Sequence, residues 1–175
     1  MKIVFIGGPG SGKSTVGTRL AQDLKWPWIS SGEILRQSKE PWVVEKLKTA
    51  QLFDDEMISG LVLSRLHNEP NAIIDGFPRT FKQAEIMLSR GEKVDIIVEM
   101  RVPIEEIQKR LYLRGRDQDT REIVEERYAM YEHDKDEIMS YLVGNGAKVV
   151  IVDGVGTQDE VYARAVKGIQ EIIKK

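Results

Sequence analysis

The sequence predicts a doubly wound α/β fold, a mainly parallel sheet of five strands with helices on both faces. Short apolar runs rich in Val and Ile alternate with longer stretches of helical spacing. The runs are continuously apolar, as strands buried on both faces require, and parallel strands need a crossover helix between them. Right-handed crossovers then stack the helices on the two faces.

The first run, KIVFIG at 2–7, reads as a strand, and a glycine-rich turn leads from it into a helix over 13–24. WPWIS at 26–30 is a weaker strand candidate, because Pro27 cannot donate to a ladder. Residues 31–70 break the rhythm, with helical stretches at 33–38, 42–50 and 55–67 between two strands. They read as a helical insertion, and insertions at the strand ends of such sheets commonly bind substrate. AIID at 72–75 resumes the sheet, followed by a helix over 80–90, the strand VDIIVEM at 94–100 and a helix over 104–114 opened by Pro103. A helix over 121–142, the strand KVVIVDG at 148–154 and a helix over 158–174 complete the pattern. Thr157 and Glu160 have the spacing of a capping box before that last helix. With no repeat, low-complexity tract or linker, one domain over 1–175 is expected.

Composition excludes several classes. The chain has 175 residues, and 26 Lys plus Arg against 28 Asp plus Glu leave a formal charge of −2. A domain of this length buries roughly 70% of the surface it exposes unfolded, enough for a core without staples. The near-neutral balance argues against a strongly basic nucleic-acid module. The absence of Cys excludes disulfides, a thiol nucleophile and a Cys-containing zinc site. No apolar stretch approaches the ~18 residues of a membrane span, and the opening MKIVFIGGPGSGKST is too short and glycine-rich for a signal peptide. A cytoplasmic protein with neither membrane nor nucleic-acid partners is expected.

The glycine-rich turn carries chemistry. Gly7-Gly8-Pro9-Gly10-Ser11-Gly12-Lys13-Ser14 fits G-x-x-x-x-G-K-[ST], directly after a strand and opening a helix, the context this motif needs. Its glycines let the backbone wrap phosphates, so that successive N–H groups and the helix N-terminus face the anion. The fold is therefore of the P-loop NTPase type, and the ligands implied are a nucleoside triphosphate and Mg²⁺. Lys13 is placed to reach the β and γ phosphates, and Ser14 offers a hydroxyl to the ion. Asp75, which ends AIID, is the natural acidic partner for Mg²⁺ or its waters; the plainer alternative is a turn residue or helix cap. The N-K-x-D motif of a GTPase is absent.

Further motifs lie downstream. Asp75-Gly76-Phe77-Pro78-Arg79-Thr80, followed by Gln83, closely resembles the D-G-F-P-R signature of the nucleoside monophosphate kinase family, its adenylate kinase branch above all. Ser30-Ser31-Gly32-Glu33-Ile34-Leu35-Arg36 resembles that family's S-T-G-D-x-L-R segment, and Gln51-Leu52-Phe53-Asp54-Asp55-Glu56 its K/Q-L-V-x-x-E segment. Arg110, Arg114, Arg116 and Arg127 resemble the lid arginines and the arginine on the helix after the lid. The likeness covers essentially the whole chain.

The resemblance implies transfer of a phosphoryl group from MgATP to AMP, giving two ADP. It divides the chain into a core (1–30, 71–109, 128–175), an AMP-binding insertion (31–70) and a short lid (about 110–127). On the ATP side it implies Gly10, Ser11, Gly12, Lys13, Ser14 and Thr15 at the phosphates, Arg114 closing on them with Arg116, Arg110 stacking on the base, and backbone at Gly156 beside the adenine. On the AMP side it implies Ser31, Gln51, Leu52 and Phe53 lining the nucleoside pocket, Gly76 and Phe77 beside it, and Gln83 reading the adenine edge. Arg36, Arg79 and Arg127 would hold the monophosphate and the transferring group, with Arg116 closing on the same group. Lys13, Arg79, Arg116 and Arg127 are the expected catalytic residues, and Ser14 and Asp75 the expected metal side chains. Asp119 matches a lid aspartate that positions an arginine, or else is a helix cap with Glu122 three residues on.

Physical reasoning favours the same arrangement. Arg and Mg²⁺ neutralise the equatorial oxygens of phosphoryl transfer, and Arg grips phosphate through two parallel donors. An AMP phosphate oxygen is already anionic and needs no general base; His67 and His133 read as solvated surface residues. Arg65, Arg90, Arg101, Arg121 and Arg164 read as surface ion pairs. The chain departs from the family pattern at Ser14, where a Gly is usual, at Ser31 for Thr and at Phe53 for Val. Its insertion is short, and Gly115 alone separates Arg114 from Arg116. A long zinc-bearing lid is excluded. Competing readings are a UMP/CMP kinase, disfavoured by Thr80 with Gln83; a P-loop kinase of a small alcohol, disfavoured by the G-F-P-R run; and a non-catalytic nucleotide-binding module. A monomer is expected.

Overall fold

The computed structural model describes residues 1–38, 40–47, 53–115 and 119–174. Gln51, Leu52 and Arg116 lie outside the described residues. In chain order the elements are β1 (Lys2–Ile6), α1 (Lys13–Leu24), β2 (Trp28–Ser30), α2 (Ser31–Arg36), α3 (Pro41–Leu47), α4 (Asp55–Leu66) and β3 (Ala72–Asp75). They continue with α5 (Phe81–Ser89), β4 (Ile96–Arg101), α6 (Ile104–Arg114), α7 (Arg121–Gly144), β5 (Lys148–Asp153) and α8 (Gln158–Ile173).

All five strands are parallel, in the order β2-β3-β1-β4-β5. β1 is central, and the chain winds to one side for β2 and β3, then to the other for β4 and β5. Ligands of such sheets bind outside the carboxyl ends of the strands at that reversal. The register aligns those ends: Phe5 faces Asp75 and Val98, and Ser30 faces Asp75.

Period-two alternation divides the strand side chains between two cores. Ile3 and Phe5 join Ile73, Ile96 and Val98 against Val16 and Leu20 of α1 and Val161, Ala165 and Ile169 of α8. Val4 and Ile6 join Ile74 and Ile97 against Leu66 of α4, Met87 of α5 and Leu142 of α7. A third cluster, Val102, Ile107, Leu111 and Val124, packs α6 onto α7. Burial of both faces explains why the central strands carry no polar alternation.

The helical reading holds to within a few residues at every described boundary. Thr157 closes a full capping box: its Oγ1 accepts from Glu160 N, while Glu160 Oε2 accepts from Thr157 N at 2.8 Å. β2 is short because Pro27 precedes it, although the Pro27 carbonyl still accepts from Ile73 N at 2.9 Å. β5 departs from the two-face expectation. It is an edge strand, and Ile151 is 57% exposed while Val150 and Val152 are buried.

Candidate active site

The site grows from the turn after β1. Gly12 is the N-cap of α1 at φ 93°, a left-handed conformation that L side chains rarely adopt, which leaves the first amides of α1 facing outward. Lys13 Nζ donates to the carbonyls of Gly7 and Gly8, both at 2.7 Å. Confinement between protein walls pulls the Lys13 ammonium down to about 8; Asp75 opposes that shift, and Arg79 and Arg114 add to it.

Asp75 ends β3 and is 3% exposed. Its Oδ2 accepts from Ser14 Oγ at 2.5 Å, so the strand-end carboxylate and the P-loop hydroxyl meet rather than cap a turn. Among the described residues no three His, Cys, Asp or Glu side chains converge as a protein-only metal cage. One carboxylate beside one hydroxyl is the sparse, all-oxygen set that fits Mg²⁺, which keeps most of its ligands as water and phosphate.

The next residues form a second wall. Gly76, at φ 72°, turns so that its carbonyl accepts both from Ser31 Oγ at 2.5 Å and from Arg79 Nε at 2.8 Å. The left-handed φ calls for glycine, and a Cβ there, 2.8 Å from Arg79 Nη2 and 2.9 Å from Ser31 Oγ, would also displace both side chains. The cleft walls lower the Arg79 guanidinium from its ordinary value although it still reaches water; Asp75 opposes this and Arg36 reinforces it. Phe77 is fully buried, so its side chain belongs to the core and only its backbone is available to a ligand. Phe53 is 9% exposed and packs with Trp42 at 6.1 Å between ring centroids, with Lys46 over its face.

Two clefts share Gly10, Lys13, Ser14, Thr15 and Arg114. The first, about 550 Å³, runs from the P-loop past Ser11 and Gly12 to Arg110, Gly154, Gly156 and Thr157. There Arg110 is held by Glu106 Oε1 and the Gly154 carbonyl, at 2.8 and 2.9 Å. The second, about 460 Å³, takes in Arg36, Asp75, Gly76, Arg79 and Arg127. Arg127 Nη2 also reaches the Leu47 carbonyl at 3.4 Å, linking α7 to the end of α3. Crowding lowers the Arg127 guanidinium too, with Arg79 and Arg114 reinforcing the shift and Asp119 opposing it.

Arg114 stands where the clefts meet, gripped by both oxygens of Asp119 at 2.8 and 2.6 Å. Thr120, not Asp119, caps α7. This decides between the two readings of Asp119 in favour of arginine positioning. Gln83 is 2% exposed and lies outside the lining of both clefts; its Oε1 accepts from Arg79 N at 2.8 Å and its Nε2 donates to Asp55 Oδ1 at 2.9 Å.

Sequence reasoning missed part of the second wall. Met130, Tyr131, Asp134, Lys135 and Ile138 line the second cleft from α7, together with Arg127. Their spacing of three and four marks one helical face, and extending it from Arg127 would have found them. His67 and His133 are exposed, as expected. Arg90 and Arg121 make surface ion pairs with Glu56 and Glu125. Arg101 instead pairs with Glu99, itself 2% exposed, and Arg164 donates to the carbonyls of Asp153 and Val155.

Two cationic clefts sharing one P-loop suit transfer of a phosphoryl group between two bound phosphate esters, the work of a P-loop phosphotransferase. The family model for adenylate kinase matches residues 5–147. An adenylate kinase of Mycolicibacterium vanbaalenii is 35% identical, with 97% of this chain and 99% of that protein aligned. Adenylate kinases of Mycolicibacterium paratuberculosis (36%; 94% and 97% aligned) and Mycobacterium tuberculosis (35%; 97% and 99%) are similarly alike. The chain belongs to the adenylate kinase family. It is an enzyme, an ATP:AMP phosphotransferase whose phosphoryl transfer is reversible.

Proposed function

We propose that the first cleft takes ATP and the second takes AMP, with the phosphoryl group passing between them over Lys13. Supporting this above all is the sharing of Lys13 and Arg114 by the two clefts, which puts one pair of cations within reach of both ligands. Gly10, Ser11, Gly12, Ser14 and Thr15 hold the donor phosphates, Arg110 lies against the donor base, and Gly156 offers it backbone. Arg36, Arg79 and Arg127 hold the AMP phosphate, and Arg114 bridges to the donor side. Ser31 acts through the Gly76 carbonyl, Gly76 and Phe77 supply backbone, and Phe53 walls the nucleoside. Gln83, buried between Arg79 and Asp55 beside the second cleft, is assigned to the adenine edge on the family resemblance. Gln51 and Leu52 are assigned to the nucleoside pocket, and Arg116 to the transferring group, on the family resemblance.

Residues 31–70 act as the AMP-binding insertion and 110–127 as a short lid over the core. Ser14 and Asp75 would hold Mg²⁺, partly through water; when bound, the ion neutralises charge building on the donor oxygens. The AMP phosphate attacks as an anion, so the protein's task is to align it and to match the equatorial charge with Lys13, Arg79, Arg116 and Arg127. A monomer is proposed on the family resemblance alone. No helix among the described residues is long and apolar enough to cross a membrane, and a cytoplasmic location suits dissolved nucleotide substrates.

A coupled assay with ATP against AMP, UMP, CMP, GMP and shikimate should give turnover with AMP far above the rest. Lys13→Ala should lower kcat by several orders of magnitude with folding retained, since a transition-state contact is lost. A folded Lys13→Ala enzyme within tenfold of wild-type kcat would falsify that role.

A further inference from the structure

We propose that Asp55 makes the acceptor site select a 6-aminopurine over a 6-oxopurine, by holding the amide of Gln83 in one orientation. The proposal rests on Gln83 reading the acceptor base.

A glutamine amide is ambiguous by itself, since half a turn about its last bond exchanges oxygen for NH₂. Adenine presents an N6–H donor beside the N1 acceptor. Hypoxanthine and guanine present the reverse, an O6 acceptor beside N1–H. A free amide serves either pattern by turning over; a fixed amide serves one.

In this protein the amide is fixed from both ends. Gln83 Oε1 accepts from Arg79 N at 2.8 Å, and Nε2 donates to Asp55 Oδ1 at 2.9 Å. Turning it over would set Oε1 against the Asp55 carboxylate and the NH₂ group against the Arg79 N–H. The Arg79 amide alone is weaker insurance, because a neutral donor repels less strongly than a charged acceptor. Thr80 completes the arrangement. Its hydroxyl donates to the same Asp55 Oδ1 at 3.0 Å while its Oγ1 accepts from Gln83 N as the cap of α5. One Oε1 lone pair and one Nε2–H of Gln83 have no described protein partner, and a base edge that reaches this buried amide meets them in fixed polarity. Asp55 is the first residue of α4, so the insertion itself supplies the carboxylate that sets the polarity of a side chain on the core. Asp55 is a positioning residue; it acts on the base only through Gln83.

The test compares kcat/KM for AMP and for IMP, with ATP as donor, in Gln83→Leu, Asp55→Ala, Asp55→Asn and Thr80→Val, each first checked for a cooperative melt. The AMP-to-IMP ratio should fall about tenfold or more in Gln83→Leu and in Asp55→Ala. It should survive in Asp55→Asn, whose amide carbonyl still accepts both bonds, and in Thr80→Val, which leaves the bond from Gln83 to Asp55 in place. A purely structural role for Asp55 lowers both acceptors alike and leaves the ratio where it was. If Asp55→Ala does not fold, Asp55→Ser repeats the test, because a first helical turn tolerates serine and its hydroxyl is too short to reach Gln83. A ratio preserved in the Asp55 truncations but lost in Gln83→Leu overturns the proposal alone. A ratio preserved in Gln83→Leu overturns the base-reading assignment beneath it.

Discussion

Lys13 shows what a P-loop does to a single side chain. It donates to two P-loop carbonyls, and burial holds its ammonium near 8 rather than its ordinary 10.5. Between those values the unfolded chain binds the proton and the folded one releases it, so the Lys13 contribution makes stability rise with pH across that window. Below about 8 both states carry the charge, and the folded protein bears the full cost of confining it. Nucleotide-free Lys13→Met should therefore melt above wild type at pH 7, with the gap closing as pH rises from 8 towards 10.5. A gap that widens over that range would contradict the burial argument. In the proposed complex the donor phosphates beside Lys13 restore the proton. Hence kcat/KM for ATP, which reports the free enzyme, should fall above about pH 8 while kcat holds flat through the same range.

Helices carry most of the charge to the clefts, and their ends decide where it points. The capping box of Thr157 and Glu160 starts α8 beside the first cleft. Thr157→Ala should cost ~1 kcal/mol, a drop of about 2–4 °C in melting temperature for a chain of this length, read without nucleotide because Thr157 also lines the cleft. An unshifted melt would mean that the packing of Val161, Ala165 and Ile169 alone sets the start of α8. The α6–α7 junction was only half legible. The sequence allowed Asp119 to be a cap or an arginine partner, because a capping-box spacing is blind to a side chain five residues upstream. With Thr120 capping α7, Asp119 grips Arg114 through both oxygens. The inner face of α7 was legible in principle, at i, i+3 and i+4 from Arg127, yet only Arg127 came with a motif to draw attention to it.

For the molecule as a whole, the distinctive feature is how little chain can close over the clefts. α6 ends at Arg114 and α7 begins at Arg121. Transfer to AMP competes with transfer to water, and exclusion of water depends on closure. On the proposed division of the chain, a lid of about 110–127 leaves most closure to the AMP-binding insertion, residues 31–70. Measurable phosphate release from ATP in the absence of AMP is expected, falling as AMP is added. Release indistinguishable from an enzyme-free blank would show that the proposed lid seals the first cleft unaided.

The sequence by itself determined the alternation of strands and helices, the P-loop, the Asp75–Arg79 turn and the family, because each rests on local spacing and residue chemistry. The Gly12 and Gly76 conformations, for instance, are demanded by the turns that contain them. Tertiary structure alone decided what depends on distance between segments far apart in the chain. Ser14 meets Asp75 and Gln83 meets Asp55 because parallel register and the packing of α4 on α5 bring them together. It also decided that Phe77, in a turn between Asp75 and Arg79, belongs to the core, while Ile151, in an apolar run, lies exposed on an edge strand. Hydrophobicity says that a residue seeks burial; only the completed packing says which neighbours cover it.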